Sequence, residues 1–182
     1  MKRSNYSDIF QSTSILKVLS FLVENPGKEL LSSEIQKATT LSKVGVYIAL
    51  QELEKQGMIN REQRGKFFLY KLDYNNFIVK QFKVLRNMLA LKKIITKLKL
   101  IAVKIILYGS AGRGEDTWGS DFDLLIITRN PEEVKKQISM LKIERKIQAI
   151  IKTPIQFYEM KESEKVFYSE VDRGIIIWEQ KE

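Results

Sequence analysis

The chain has no cysteine and no histidine, and only 3 prolines in 182 residues. Without cysteine there is no disulfide framework, no thiolate metal site and no cysteine nucleophile. Without imidazole there is no Ser-His-Asp triad, no Cys2His2 finger and no His-Glu-x-x-His metalloprotease, so any metal must be a hard ion held by oxygen ligands. The sequence also lacks an uninterrupted apolar run of about 18 residues, the length a membrane-spanning helix needs, and no membrane partner is expected. The opening residues MKRSNYSDIF meet polar and charged side chains before any apolar core, unlike a signal peptide, and a cytoplasmic location is the default expectation.

What is present is a foldable composition with uneven charge. The hydrophobic fraction is 44%, within the globular range, so most of the chain is expected to fold. Lys and Arg number 31 against 22 Asp and Glu, a net charge of +9. Residues 1–100 hold 18 basic and 8 acidic side chains, +10, and the remainder holds 13 and 14, −1. The excess belongs to the first half. It suggests contact with a nucleic acid there, although a well-solvated surface has the same composition.

Apolar spacing predicts a helix over Ile9–Val23, ended by Asn25, Pro26 and Gly27. A short helix led by Ser32 or Ser33 follows around Glu34, Ile35 and Ala38, and after a break at Thr39 and Thr40 another runs from Ser42 to a glycine cap at Gly57. Residues 58–72 read as two strands around Arg64-Gly65-Lys66, a hairpin with a basic tip. This stretch, about residues 8–73, resembles a winged helix-turn-helix domain, with Leu50-Gln-Glu-Leu-Glu-Lys-Gln-Gly-Met-Ile59 similar to the end of that family's recognition helix and its turn into the wing. The resemblance implies binding to double-stranded DNA through Ser42, Lys43, Val44 and Tyr47 on the recognition helix and Arg61, Arg64 and Lys66 on the wing. The same fold also serves as a dimerisation or protein-docking module. Residues 75–100 contain neither Pro nor Gly and keep helical spacing, so a long connecting helix or two nearly continuous ones are expected, and with DNA as partner a homodimer.

The second half carries the sharper chemistry. Val103–Tyr108 reads as a strand, running into Gly109-Ser-Ala-Gly-Arg-Gly-Glu-Asp-Thr-Trp-Gly-Ser120 and then Asp121-Phe-Asp-Leu-Leu-Ile-Ile127. Two carboxylates at i and i+2 on a strand share a face, where they can hold a divalent ion against phosphate oxygens approaching the glycine turn. The combination resembles the nucleotidyltransferase superfamily that includes DNA polymerase beta, particularly its minimal stand-alone members, matched in Gly109, Ser110, Arg113, Gly114, Ser120, Asp121, Asp123 and Leu124. That resemblance implies a nucleoside triphosphate on Gly109, Ser110, Arg113 and Ser120, and Mg²⁺ or Mn²⁺ on Asp121 and Asp123 as the catalytic pair.

The family's third carboxylate, on a later strand, is not evident. A helix over Pro131–Ile150 and a strand over Thr153–Met160 are predicted, which puts the missing acid near Ile155 or Gln156, with Glu159 out of phase by strand alternation. A helix around Ser163–Glu170 and a last strand Ile175–Trp178 beside Thr153–Met160 complete the prediction, with Trp118 a candidate to stack on a base.

The expected architecture is α+β: a winged helix domain over 1–74, a helical connector over 75–100 and a mixed sheet with flanking helices over 101–182. Three functions follow. They are a nucleotidyltransferase fused to a DNA reader, a transcriptional regulator with a degenerate transferase domain, and an antitoxin-like module that takes a separate helical protein partner.

Overall fold

The computed structural model describes residues 13–117, 119–140 and 145–180, so the start of the first predicted helix and Trp118 lie outside the described residues. The chain divides into two compact units, Met1–Lys83 and Val84–Glu182.

In the first unit, helix α1 (Ser14–Glu24) starts at Thr13, whose Oγ1 accepts from the Leu16 N–H at 3.3 Å. A short strand β1 (Leu30–Leu31) leads into α2 (Ser32–Thr39), where the Glu34 carboxylate reaches back to the Leu31 N–H at 2.7 Å. Thr40, the one described non-glycine residue in the left-handed region, turns the chain toward α3 (Lys43–Lys55). Ser42 caps α3 by accepting from the Gly45 N–H at 3.1 Å. Strands β2 (Ile59–Arg64) and β3 (Phe67–Leu72) form an antiparallel hairpin around Gly65 at φ +61°, and β1 joins the far edge of β3. Val18, Leu22, Ile35, Val46, Leu50, Leu53, Ile59 and Leu72 close the core between helices and ribbon. This is the predicted helix-turn-helix and wing.

Helix α4 (Phe77–Leu98) is the predicted long helix, and the division between the units falls within it. The second unit is built on a sheet of four strands, β4 (Ala102–Tyr108), β5 (Phe122–Thr128), β6 (Ile147–Lys152) and β7 (Ile175–Glu179), in the order β6-β5-β4-β7. β4 runs antiparallel to β5 and β7, and β5 runs parallel to β6, giving a mixed sheet. On one face Leu91, Ile94 and Leu98 of α4 and Val134 of α6 (Pro131–Ser139) cover Ile105, Leu107, Leu124 and Ile126. On the other, Met160 of α7 (Pro154–Ser163) and Val171 of α8 (Lys165–Asp172) cover Ile106, Leu125 and Ile127. Among the described residues no helix is long and apolar enough to cross a membrane.

Three expectations in this unit are corrected. The predicted helix 131–150 ends at Ser139, and the apolar run from Ile147 is an edge strand, half-buried alongside β5, where β-branched side chains pack well. The predicted strand 153–160 is helix α7, because Thr153 and Gln156 form a reciprocal capping box and Pro154 occupies the first turn. β7 lies beside β4, on the edge of the sheet opposite to β6.

Candidate active site and nucleic-acid face

β4 ends at the buried Tyr108, and Gly109 turns the chain at φ +65° into α5 (Gly109–Arg113). β5 returns antiparallel with Asp123 directly opposite Tyr108. Glycine is required at 109 on two counts. Its φ is one that side-chain-bearing residues avoid, and a Cβ there would collide with Asp123 Oδ2 and stand 3.2 Å from Asp123 Cγ. The carboxylate therefore lies against the backbone of the turn. Asp121 precedes β5 by one residue, on the Asp123 side by strand alternation, with its Oδ2 at 3.5 Å from Lys146 Nζ.

Asp123 opens onto a cavity of about 540 Å³ whose walls include Tyr108, Gly109, Gln148, Phe167 and Glu170. Burial, then the neighbouring Asp121 and Glu170 carboxylates, push the Asp123 carboxyl above its ordinary range, against smaller opposing pulls from Arg145 and Arg113. Burial, followed by Asp123 and Glu170, pushes the Tyr108 phenol up to about 12. The residue beside Asp123 on the parallel strand β6 is Gln148, a neutral amide. Among the described residues no group of three or more acids gathers closely enough to hold a metal. The donor set here is a pair of hard carboxylate oxygens with an amide beside it. Chemically that set suits one hard divalent cation, whose charge would relieve the crowding that raises Asp123.

Of the predicted nucleotide-binding residues, Gly109 shares the cavity wall with Asp123. Ser110 sits half-buried on α5, its carbonyl accepting from the Glu115 N–H at 2.9 Å. Arg113 is held by two acids, Glu115 at 3.0 Å and Glu170 at 2.9 Å. Ser120 brackets the intervening loop, its Oγ accepting from the Thr117 N–H at 2.9 Å. Sequence reasoning missed Gln148 and Glu170, and it missed a buried group behind the loop. There Arg145 donates to Asp116 Oδ2 at 2.8 Å and Asn87 donates to Asp116 Oδ1 at 3.0 Å. No local pattern announces residues this far apart in the chain.

On the first unit, Lys43, Val44 and Tyr47 are exposed along α3, Val44 by 66% and Tyr47 by 56%. Ser42 is already committed as the helix cap. Both wing arginines have internal partners. Arg61 pairs with Glu54 at 3.1 Å and lies 4.8 Å over the Phe68 ring, tying the wing to α3. Arg64 pairs with Glu29 and with Glu62, each at 2.8 Å. Lys66, at the hairpin tip, is exposed.

The model of the family described as Polymerase beta, Nucleotidyltransferase matches residues 90–182, just over half of the chain. No curated protein matches the chain significantly. Among solved structures, a Sulfolobus solfataricus protein provisionally assigned as a nucleotidyltransferase is similar at 17% identity, over 59% of this chain and 94% of its own, with a TM-score of 0.39. TrmBL2, an archaeal chromatin protein described as showing a novel mode of DNA binding, is similar at 16% identity, over 88% of this chain and 70% of its own, with a TM-score of 0.31.

Proposed function

The chain belongs to the polymerase beta nucleotidyltransferase family, and on that premise we propose that it is a double-stranded-DNA-binding regulator whose nucleotidyltransferase domain binds a nucleoside triphosphate with one Mg²⁺ or Mn²⁺ and does not turn it over. The observation that carries this reading is the register between β5 and β6, which sets Gln148 beside Asp123. An amide at that position supplies neither a third negative charge for a second cation nor a base for an incoming hydroxyl. With no histidine in the chain, no imidazole can take over the proton.

In this reading Asp121 and Asp123 hold the cation. Gly109 allows close approach of phosphate to the backbone, and Ser110 offers a hydroxyl beside it. Arg113 supplies positive charge, with Glu115 and Glu170 as its partners until a triphosphate competes for it. Ser120 keeps the loop before the acid pair closed. When bound, the cation would neutralise phosphate oxygens against the two carboxylates.

The DNA-binding part is supported by the helix-turn-helix and wing, by the +10 charge of residues 1–100 and by the exposed Lys43, Val44 and Tyr47 of α3. Two-fold operators make a homodimer the matching assembly. A Mg²⁺-dependent labelling assay with each nucleoside triphosphate tests the absence of turnover, alongside nucleotide binding measured on the same protein. Binding without transfer is expected. Robust transfer that Asp121→Asn or Asp123→Asn abolishes overturns the reading.

A further inference from the structure

We propose that Arg145 is the positioning residue of the cation and nucleotide site, one guanidinium that fixes from behind the backbone of both the glycine turn and the acid pair. The inference rests on the reading just given. Arg145 stands two residues before β6 and is 23% exposed at its side chain. Its Nε donates to the Ser120 carbonyl and Nη2 donates to the Asp121 carbonyl at 3.3 Å. Nη1 donates to Asp116 Oδ2 at 2.8 Å and to Asn87 Oδ1 at 3.3 Å. The guanidinium also lies 4.1 Å over the Phe122 ring, between the two aspartates in sequence.

Asn87 carries the network to the opposite flank. From α4 its Nδ2 donates to the Ala111 carbonyl at 3.0 Å, one residue beyond Ser110, and to Asp116 Oδ1 at 3.0 Å. The carbonyls of residues 111, 120 and 121 are thus tied to one buried polar group, in which Asn87 and Asp116 are each only 7% exposed. None of Asn87, Asp116 and Arg145 is among the residues lining the cavity, so they act through the backbone they hold.

A buried ion pair is weak evidence for stability, since well-packed apolar side chains would serve the core about as well. What apolar side chains cannot do is direct several donors at two consecutive carbonyls and a carboxylate at once. The planar guanidinium fork can, and the point charge of a lysine cannot. Ser120 and Asp121 are where the loop becomes the acid strand. Fixing them fixes where the Asp121 carboxylate stands relative to Asp123, and the Asn87 branch holds the glycine turn to the same frame.

The test uses the full-length protein with Mn²⁺ as the probe, read by electron paramagnetic resonance, and thermal unfolding as the control. Wild type is expected to take up Mn²⁺ at a site that Asp123→Asn removes. Arg145→Ala should lower that affinity about tenfold or more, the range seen when supporting groups around metal ligands are removed. Arg145→Lys should lose most of it too, while remaining folded. Added guanidinium ion should restore Mn²⁺ affinity to Arg145→Ala and leave Arg145→Lys and Asp123→Asn unchanged. Affinity within twofold of wild type in a folded Arg145→Ala protein overturns the inference, and so does full affinity in Arg145→Lys, which decides the matter if the alanine variant does not fold. If wild type shows no Asp123-dependent Mn²⁺ uptake, the reading of the site falls and the inference falls with it; the other adverse results leave that reading standing.

Discussion

Gln148→Asp is the substitution that exposes the logic of the site most fully. Gln148 pairs in register with Asp123 on the neighbouring parallel strand. Strands in a sheet lie about 4.8 Å apart, so an aspartate there sets a second carboxylate roughly 5 Å from the first. Coulomb's law puts their repulsion at about 1 kcal/mol with water-like screening and about 3 kcal/mol at an effective dielectric of about 20. Gln148 is exposed and Asp123 half-buried, so the cost lies between these limits. A change of about 1 kcal/mol moves the melting temperature of a domain of this size by roughly 4–8 °C, so in chelator the variant should melt at least about 4 °C below wild type. Divalent cation should recover the loss, because three carboxylates bind it more tightly than two and make room for a second ion. Gln148→Asn, equal in size to the aspartate and uncharged, should show neither the loss nor the recovery. The functional assay is release of pyrophosphate from nucleoside triphosphates with Mg²⁺, where Gln148→Asp should exceed wild type. A variant that melts like wild type in chelator, and gains neither cation affinity nor turnover, refutes the assignment of Gln148 to the missing acid's place.

Other perturbations bear on separate links of the account. Asp123→Asn should stabilise the cation-free protein near neutral pH. A carboxyl whose folded-state pKa is raised makes its contribution to stability below its unfolded pKa and loses it as pH rises through the folded one, so thermal unfolding of the two proteins should converge in acid, where wild type is protonated. Gly109→Ala should cost more than Gly65→Ala, because both sit at positive φ but only the first adds a Cβ collision with the Asp123 carboxylate; the left-handed conformation alone costs about 1–2 kcal/mol, the expected loss at Gly65 by chemical denaturation. Glu29→Gln frees Arg64 and Lys71 from a shared carboxylate. Fluorescence anisotropy across a salt series should then show tighter duplex binding and a slope steeper by roughly one.

The helix-turn-helix was legible because its signals are local. Ser42 at the start of the recognition helix and the glycines at 57 and 65 act within a few residues of the turns they make. Gly109 and the Asp121–Asp123 pair were legible for a related reason, since a strand, a tight turn and a returning strand are set by spacing along one short stretch. The place of the third acid was not. It depends on which residue of a parallel strand stands beside Asp123, and that is decided by sheet pairing, which leaves no periodic mark in the sequence. The stretch Thr153-Pro-Ile-Gln alternates like a strand, yet its Thr, Pro and Gln are the start signals of a helix, and reading alternation over caps moved the strand from 147–152 to 153–160. The Arg145 network was invisible because its members lie 29 and 58 residues apart and each is unremarkable alone.

The most direct test is equilibrium dialysis of the full-length protein against labelled nucleoside triphosphate and Mg²⁺, followed by analysis of the same sample for pyrophosphate and nucleotidylated product. Nucleotide should be retained in a manner that needs Asp123 and Mg²⁺, with all of it recovered as intact triphosphate. Recovery of pyrophosphate and a labelled acceptor from wild type, both lost in Asp123→Asn, would contradict this.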